Sequence, residues 1–218
     1  MWCIGEITPE YRRRMYALLA LYKRPYSSRE PVICVDEKSK QILQATRPDL
    51  PHRPGRVRHE DYEYKRLGTR NIFVAVEPKG KRRFTEVTLR RTKVDCVKFF
   101  VKLLHKYYPH AKRVHFVLDN LNTHFRKTFE DVLGSADAGL LLKRVLFHYT
   151  PKHASWLNMA EIEIGIMDAQ CTGRRFDSGK QLSREVTAWR RRRDASKLGI
   201  AWSFTRQKAD RKLSKHYV

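Results

Sequence analysis

The sequence lacks the cysteine pattern of a zinc site or a disulfide framework. Its four cysteines lie far apart along the chain and form no C-x-x-C pair. No apolar run approaches the roughly 20 residues that cross a bilayer, and residues 1–6 lack the basic start and apolar core of a signal peptide. We therefore expect reduced thiols, no membrane association and a cytoplasmic location.

Acidic residues are also scarce. The 218 residues include 46 Lys and Arg but only 23 Asp and Glu, which gives a formal net charge of +23. Because 41% of the residues are hydrophobic, the chain can still bury a sizeable core, and a disordered basic tail is excluded. A folded domain with this charge indicates a polyanionic partner such as nucleic acid. The alternatives are charge that serves only solubility and a ribosomal-type RNA role.

The apolar periodicity predicts a hairpin followed by alternating helices and strands. Residues 47–68 contain three prolines and are predicted to form a basic loop. The order of elements indicates an α/β fold, in which helices flank a mixed five-stranded sheet. The predicted strands cover residues 31–37, 71–76, 84–89, 113–119 and 141–149, and the predicted helices cover residues 10–22, 93–107, 125–132 and 159–171.

Two of the predicted strands run into an aspartate. Asp36 ends the first strand and Asp119 ends the fourth, although an aspartate also begins many turns. If these strands are neighbours, the two carboxylates meet and repel each other unless divalent cations neutralise them. Hard oxygen ligands suit Mg²⁺ or Mn²⁺. Two such ions about 3.5–4 Å apart can activate water and stabilise the leaving 3′ oxygen of a phosphodiester. Together with the basic charge, this pattern predicts nucleic-acid chemistry.

The last helix of the predicted core offers two candidates for a third ligand, Glu161 and Glu163. On a helical wheel at about 100° per residue, Glu161 shares the polar sector with Gly165 and Asp168. Glu163 falls inside the apolar arc, where an acid needs a partner or a role of its own. The wheel favours Glu161, and the alternative is that both are ordinary helix acids.

Four segments together share the pattern of a known family: residues 32–38 (VICVDEK), 61–68 (DYEYKRLG), 117–124 (VLDNLNTH) and 148–161 (HYTPKHASWLNMAE). On these segments the chain resembles the catalytic core of mariner-like transposases, on the bacterial insertion-sequence side of the DDE superfamily. The resemblance implies an RNase H-like fold, in which Asp36, Asp119 and Glu161 bind two Mg²⁺ or Mn²⁺ ions. Glu161 matches the family's acid four residues after an anchoring leucine, here Leu157. The resemblance therefore agrees with the helical wheel.

The resemblance also implies a reaction and a set of partners. Metal-bound water would cut at the transposon end, and the freed 3′ hydroxyl would attack target DNA without a covalent enzyme intermediate. The expected partner is double-stranded DNA, bound by a homodimer without a small-molecule cofactor, in the cytoplasm beside the bacterial nucleoid. Full-length relatives carry N-terminal helix-turn-helix modules, whereas this sequence starts at the catalytic core. We therefore expect nicking with little sequence specificity.

Polar and basic residues near the predicted metal site are candidate DNA contacts. Asn120, Asn122 and His124 follow Asp119 and would orient phosphate, although a polar turn with a helix cap explains them equally well. His153 could reach DNA at the rim of the cleft, and a solvated histidine is the simpler interpretation. A run of four arginines suits phosphate contacts that position DNA without reading its sequence: Arg190, Arg191, Arg192 and Arg193.

The sequence divides into three predicted parts. These are an N-terminal arm over residues 1–30, a catalytic domain over residues 31–178 and a basic helical tail over residues 179–218. Trp202 and Phe204 are expected to pack the tail onto the core. Two other functions fit the same sequence: a basic DNA- or RNA-binding protein without catalysis, and a nuclease of the same fold that acts on RNA hybrids or junctions.

Overall fold

The centre of the fold is a mixed sheet of five strands, as the sequence predicts. The computed structural model describes residues 5–47, 53–57, 62–120 and 126–218. The strands are β1 (Val32–Ala45), β2 (Tyr64–Glu77), β3 (Arg82–Thr88), β4 (Val114–Leu118) and β5 (Val145–Tyr149). They lie in the order β3-β2-β1-β4-β5. Pairing is antiparallel between β1, β2 and β3, whereas β4 is parallel to both β1 and β5.

Helices cover both faces of this sheet. In the described part of the chain they are α1 (Pro9–Lys23), α2 (Lys93–Lys102), α3 (Arg126–Leu133), α4 (Ser135–Leu142), α5 (Met159–Met167), α6 (Gly179–Ala195) and α7 (Arg206–Leu213). Apolar residues of α2, α3 and α4 form the core on one face. Those of α1, α5, α6 and α7 form two clusters on the other. None of these described helices has the length and apolar character that a membrane span requires.

Side chains alternate between the two faces along β1. Ile33 and Val35 belong to the core that contains α2. Cys34 belongs to the cluster that contains α1, α5 and α7. Asp36, two residues after Cys34, is therefore directed toward the face that α5 covers.

Strand β1 is longer than predicted, and this corrects one expectation. Asp36 lies inside β1, which continues to Ala45, and does not end it. The strand continues because β2 pairs with it as far as Tyr64. Residues 64–68, which were predicted to belong to a loop, are therefore part of β2. A ladder to a neighbouring strand stabilises a polar segment that has little strand propensity of its own.

The predicted helices are confirmed, with one addition. Short π-helical turns over Leu103–Tyr107 and Asp168–Thr172 extend α2 and α5 to the predicted lengths. Helix α4 was not predicted, because its Leu141 and Leu142 were assigned to the following strand. The residues 135–142 form a short apolar helix, and the strand begins only at Val145.

The N-terminal arm and the C-terminal tail pack onto the central domain. Met15 of α1 and Leu213 of α7 share a buried cluster with Val117 of β4. Trp202 and Phe204 pack against the same cluster, as expected from the sequence. Helix α6 shares a second cluster with β1 and β2. The predicted boundaries at residues 30 and 178 therefore do not separate independent hydrophobic cores.

Two histidines pair on the face that α1 covers. Nδ1 of His115 lies 2.9 Å from Nε2 of His148, and Nη1 of Arg24 lies 3.1 Å from Nε2 of His115. Burial, as the largest cause, and the positive charges of His115 and Arg24 together lower the pKa of His148 to about 4. The ring nitrogen Nε2 of His148 is therefore engaged inside the protein.

We expect His148 to make the free energy of unfolding pH-dependent. In the unfolded chain it takes up a proton near its ordinary pKa of 6.5, whereas the folded chain resists protonation until about pH 4. Its contribution is therefore complete above pH 6.5 and is lost as the pH falls toward 4. His148→Gln should reduce the loss of stability between pH 6.5 and pH 5 by on the order of 1 kcal/mol. Thermal melting of both proteins across this range measures the difference, and identical pH profiles would contradict the assignment.

Candidate active site

The parallel pairing of β1 with β4 brings Asp36 and Asp119 together. Cys34 is level with Val117 across the two strands. Asp119 directly follows β4, and the same register continued by two residues places it across from Asp36. Because Cys34 and Val117 share one buried cluster, both aspartates are directed to that same face of the sheet.

Helix α5 brings Glu161 to the same place. Asn158 is the N-cap of α5, and its Oδ1 accepts a hydrogen bond from the N–H of Ala160 at 3.2 Å. The amide nitrogen of Asn158 donates to the carbonyl oxygen of Val35, directly before Asp36, at 2.9 Å. Asn158 is fully buried, so this contact fixes the start of the helix against β1. Glu161 then lies in the exposed first turn of α5.

The negative charges of Glu161 and Asp119 act on Asp36. Asp36 is 8% exposed. Burial, as the largest cause, and the negative charges of Glu161, Asp119 and Glu37 together raise its pKa to about 7, against a hydrogen bond from the N–H of Glu37. All three of these neighbouring residues carry a negative charge. A group of carboxylates in this setting is stabilised by a cation.

The donor set fits a hard divalent cation, since the three side chains offer only carboxylate oxygens. Among the described residues, no three His, Cys, Asp or Glu side chains already enclose a metal position.

Glu163 has a different role from Glu161. It is 0% exposed, and its Oε1 lies 2.9 Å from Nε of Arg83, which is also fully buried. Its Oε2 accepts a hydrogen bond from Nη2 of Arg83 at 3.2 Å, and Nε of Arg193 donates to Oε1 at 2.9 Å. Glu163 therefore has the partners that an acid in the apolar arc needs, and Glu161 is the acid left beside Asp36.

The predicted DNA contacts near Asp119 are only partly described. Asn120 is exposed; its amide donates to the carbonyl of Thr150 at 2.7 Å, and its Oδ1 accepts from Nη1 of Arg14 at 3.3 Å. Asn122 and His124 lie outside the described residues. His153 is exposed and has a left-handed backbone with φ 61°.

The four predicted arginine contacts fall into two groups. Arg191 and Arg192 are exposed on α6. Arg190 forms an ion pair with Asp194 at 3.2 Å, and Arg193 is 13% exposed and bound to Glu163. Arg193 therefore contributes to the core, in contrast to its predicted place on the DNA-binding surface.

Sequence reasoning missed three residues that shape the site: Arg14, Arg83 and Asn158. Asn158 precedes an apolar helical run, which identifies it as a candidate N-cap. The sequence does not predict its hydrogen bond to β1. Arg83 lies in a basic turn, where nothing distinguishes a buried arginine from the exposed ones around it. Arg14 lies on α1, far from Asp119 in sequence.

The site and its sheet define a class of protein. The sequence pattern of the DDE superfamily endonucleases matches residues 31–183, so the chain belongs to this family. The matched segment contains all three acids of the candidate site. No curated protein matches the sequence.

Solved structures of the Mos1 mariner transposase share the fold. The Mos1 paired end complex with Mn superimposes with a TM-score of 0.57 at 17% identity, over 90% of this chain and 60% of that one. The Mos1 strand transfer complex gives 0.51 at 18% identity, over 87% and 58%. A pre-cleavage Mos1 transpososome gives 0.51 at 17% identity, over 93% and 68%. The chain thus spans about 60% of the Mos1 chain in the Mn complex, and the RNase H-like fold is confirmed.

Proposed function

We propose that this chain is the catalytic core of a mariner-like DNA transposase. In this proposal Asp36, Asp119 and Glu161 hold divalent cations and the chain cleaves phosphodiester bonds at transposon ends. The observation that carries the proposal is the register that sets Asp36 of β1 across from the residue that follows β4, with Glu161 in the first turn of α5. The protein is otherwise strongly basic. Membership of a DDE endonuclease family supports the same chemistry.

Two Mg²⁺ or Mn²⁺ ions would supply an activated water and stabilise the leaving 3′ oxygen. The three acids would hold these ions, because each provides hard oxygen donors. Asn158 keeps Glu161 in position, since it ties the start of α5 to the carbonyl that precedes Asp36. Asn120 and Arg14 lie next to Asp119 and are suited to orient the phosphate.

Double-stranded DNA is the proposed partner. The net charge of +23 favours a polyanion, and the matching Mos1 structures are a paired end complex and a strand transfer complex. We include strand transfer into target DNA in the proposal, with a homodimer as the active assembly.

The proposal is tested by nicking of labelled duplex DNA with Mg²⁺ or Mn²⁺. Wild type should nick, and Asp119→Asn should bind DNA equally well but lose nicking. If wild type and Asp119→Asn bind DNA equally and neither nicks, the chain is a basic nucleic-acid-binding protein without catalysis. A preference for RNA hybrids or junctions over duplex DNA would instead support a nuclease of the same fold.

Arg14 offers a matched test of phosphate positioning. Arg13 and Arg14 are adjacent on α1 and both pair with Glu10, but only Arg14 also reaches Asn120. Arg14→Gln should weaken DNA binding roughly tenfold, because a charge-assisted phosphate contact is lost. Arg13→Gln removes the same charge and should change binding much less. Fluorescence anisotropy with a short duplex in Ca²⁺ measures both, and equal losses would contradict a specific role for Arg14.

A further inference from the structure

A basic pocket lies between the turn that joins β2 to β3 and the C-terminal end of α6. Its volume is about 470 Å³, and Phe84 and Tyr107 supply an aromatic wall. Asp194 also lines it, but this carboxylate accepts hydrogen bonds from the N–H of Arg83 at 3.0 Å and from Nη1 of Arg190 at 3.2 Å. Four further lining side chains are cationic: Lys81, Arg82, Arg190 and Lys197.

The floor of the pocket is fixed to the core. Arg83 is fully buried, pairs with Glu163 of α5 and donates from Nη2 to the carbonyl of Leu198 at 2.6 Å. The N–H of Ile200 donates to the carbonyl of Pro78 at 3.2 Å. These bonds hold the β2–β3 turn against the segment that follows α6. The cations on the two sides of the pocket are therefore held at a fixed spacing.

Two of the four cations occupy backbone positions that favour glycine. Lys81 has φ 59° and Lys197 has φ 51°, both in the left-handed region. A lysine is less stable than a glycine in this conformation, so the backbone conformation does not explain why a lysine occurs at either position. Within the described part of the chain, neither lysine forms an ion pair. Strained residues of this kind concentrate at ligand sites.

We propose that this pocket binds the phosphodiester backbone of DNA, as an anchor at the edge strand β3. The inference rests on the DNA partner of the proposed function. Since Arg190 is paired with Asp194, the cations that remain for phosphate are Lys81, Arg82 and Lys197. Arg83 is level with Val76, and Val76 is level with Cys34. The backbones of Arg83 and Asp36 are therefore roughly 12 Å apart. Phe84 packs on the α2 face of the sheet, so the pocket straddles the edge strand β3 and does not share the face of Asp36.

The test is the double variant Lys81→Gly/Lys197→Gly. Glycine suits both backbone positions, so the melting temperature should stay the same or rise while two positive charges are lost. DNA binding is measured by fluorescence anisotropy in Ca²⁺ at several salt concentrations. The dependence of log K on log salt should become shallower by about 2, and affinity at 0.1 M salt should fall by roughly tenfold or more.

The matched control is Lys98→Gln/Lys112→Gln, which removes two exposed lysines outside the pocket. The control should keep the salt dependence of the wild type. An unchanged slope in the glycine variant, or an equal change in the control, would overturn the pocket as a DNA anchor. The two proposals can fail separately. Pocket-dependent binding without nicking by the wild type would overturn only the proposed cleavage, whereas nicking with an unchanged slope in the glycine variant would overturn only the pocket.

Discussion

Glu163→Ala should lower the free energy of unfolding by about 3–5 kcal/mol, because it removes the nearer and fully buried of the two carboxylates that pair with Arg83. Arg83 and Glu163 are both 0% exposed, and Nε and Oε1 are 2.9 Å apart. Arg193 adds a further hydrogen bond to the same oxygen. For a chain of this size the loss corresponds to a melting temperature lower by roughly 6–20 °C. Thermal or urea unfolding measures it.

Glu161→Ala is the matched control for this prediction. Glu161 lies two residues away on α5 but is exposed, so its removal should change the free energy of unfolding by no more than about 0.5 kcal/mol. Equal destabilisation by the two substitutions would contradict the buried ion pair. So would a loss below about 1 kcal/mol for Glu163→Ala.

When nicking activity is measured, the order should be reversed: substitution of Glu161 should have the large effect and substitution of Glu163 the small one. Glu161→Ala should reduce metal-dependent nicking by at least about 100-fold, since losing an acid that holds a catalytic cation removes several kcal/mol of charge stabilisation. DNA binding should not weaken, because one negative charge beside Asp36 is removed. Single-turnover nicking at saturating DNA and Mn²⁺ separates the rate of cleavage from binding.

Glu163→Gln is the control in the activity assay. It keeps the volume of the side chain and an acceptor for Arg83, so at a temperature where the variant is folded it should retain most of the wild-type rate. A similar loss of nicking in Glu161→Ala and Glu163→Gln would contradict the assignment of Glu161 as the third acid.

The sequence predicted the sheet and the place of the acids because both depend on local patterns. Apolar runs predicted five strands, and a parallel pair of strands brings the residues that follow them to one edge. This rule predicted that Asp36 and Asp119 lie close together, and the prediction did not depend on whether β1 continues past Asp36. Glu161 was favoured by its polar sector on the helix, which depends only on helical geometry.

The rest could not be predicted, because it depends on contacts between distant segments. Nothing in the basic turn around Arg83 indicates a buried side chain, and its pairing with Glu163 appears only when α5 crosses the sheet. Arg193 was predicted to bind DNA because it lies in a run of arginines, but the helical turn directs it inward. The contact of Arg14 with Asn120 joins residues 106 positions apart.

The most direct test of the three-acid site is a titration with Mn²⁺ of the protein bound to a short duplex. Electron paramagnetic resonance measures how many Mn²⁺ ions are bound. Ions bound by the duplex alone are subtracted. We predict that the wild type binds two Mn²⁺ ions per chain and that the triple variant Asp36→Asn/Asp119→Asn/Glu161→Gln binds neither. Equal Mn²⁺ binding by the two proteins would contradict the site.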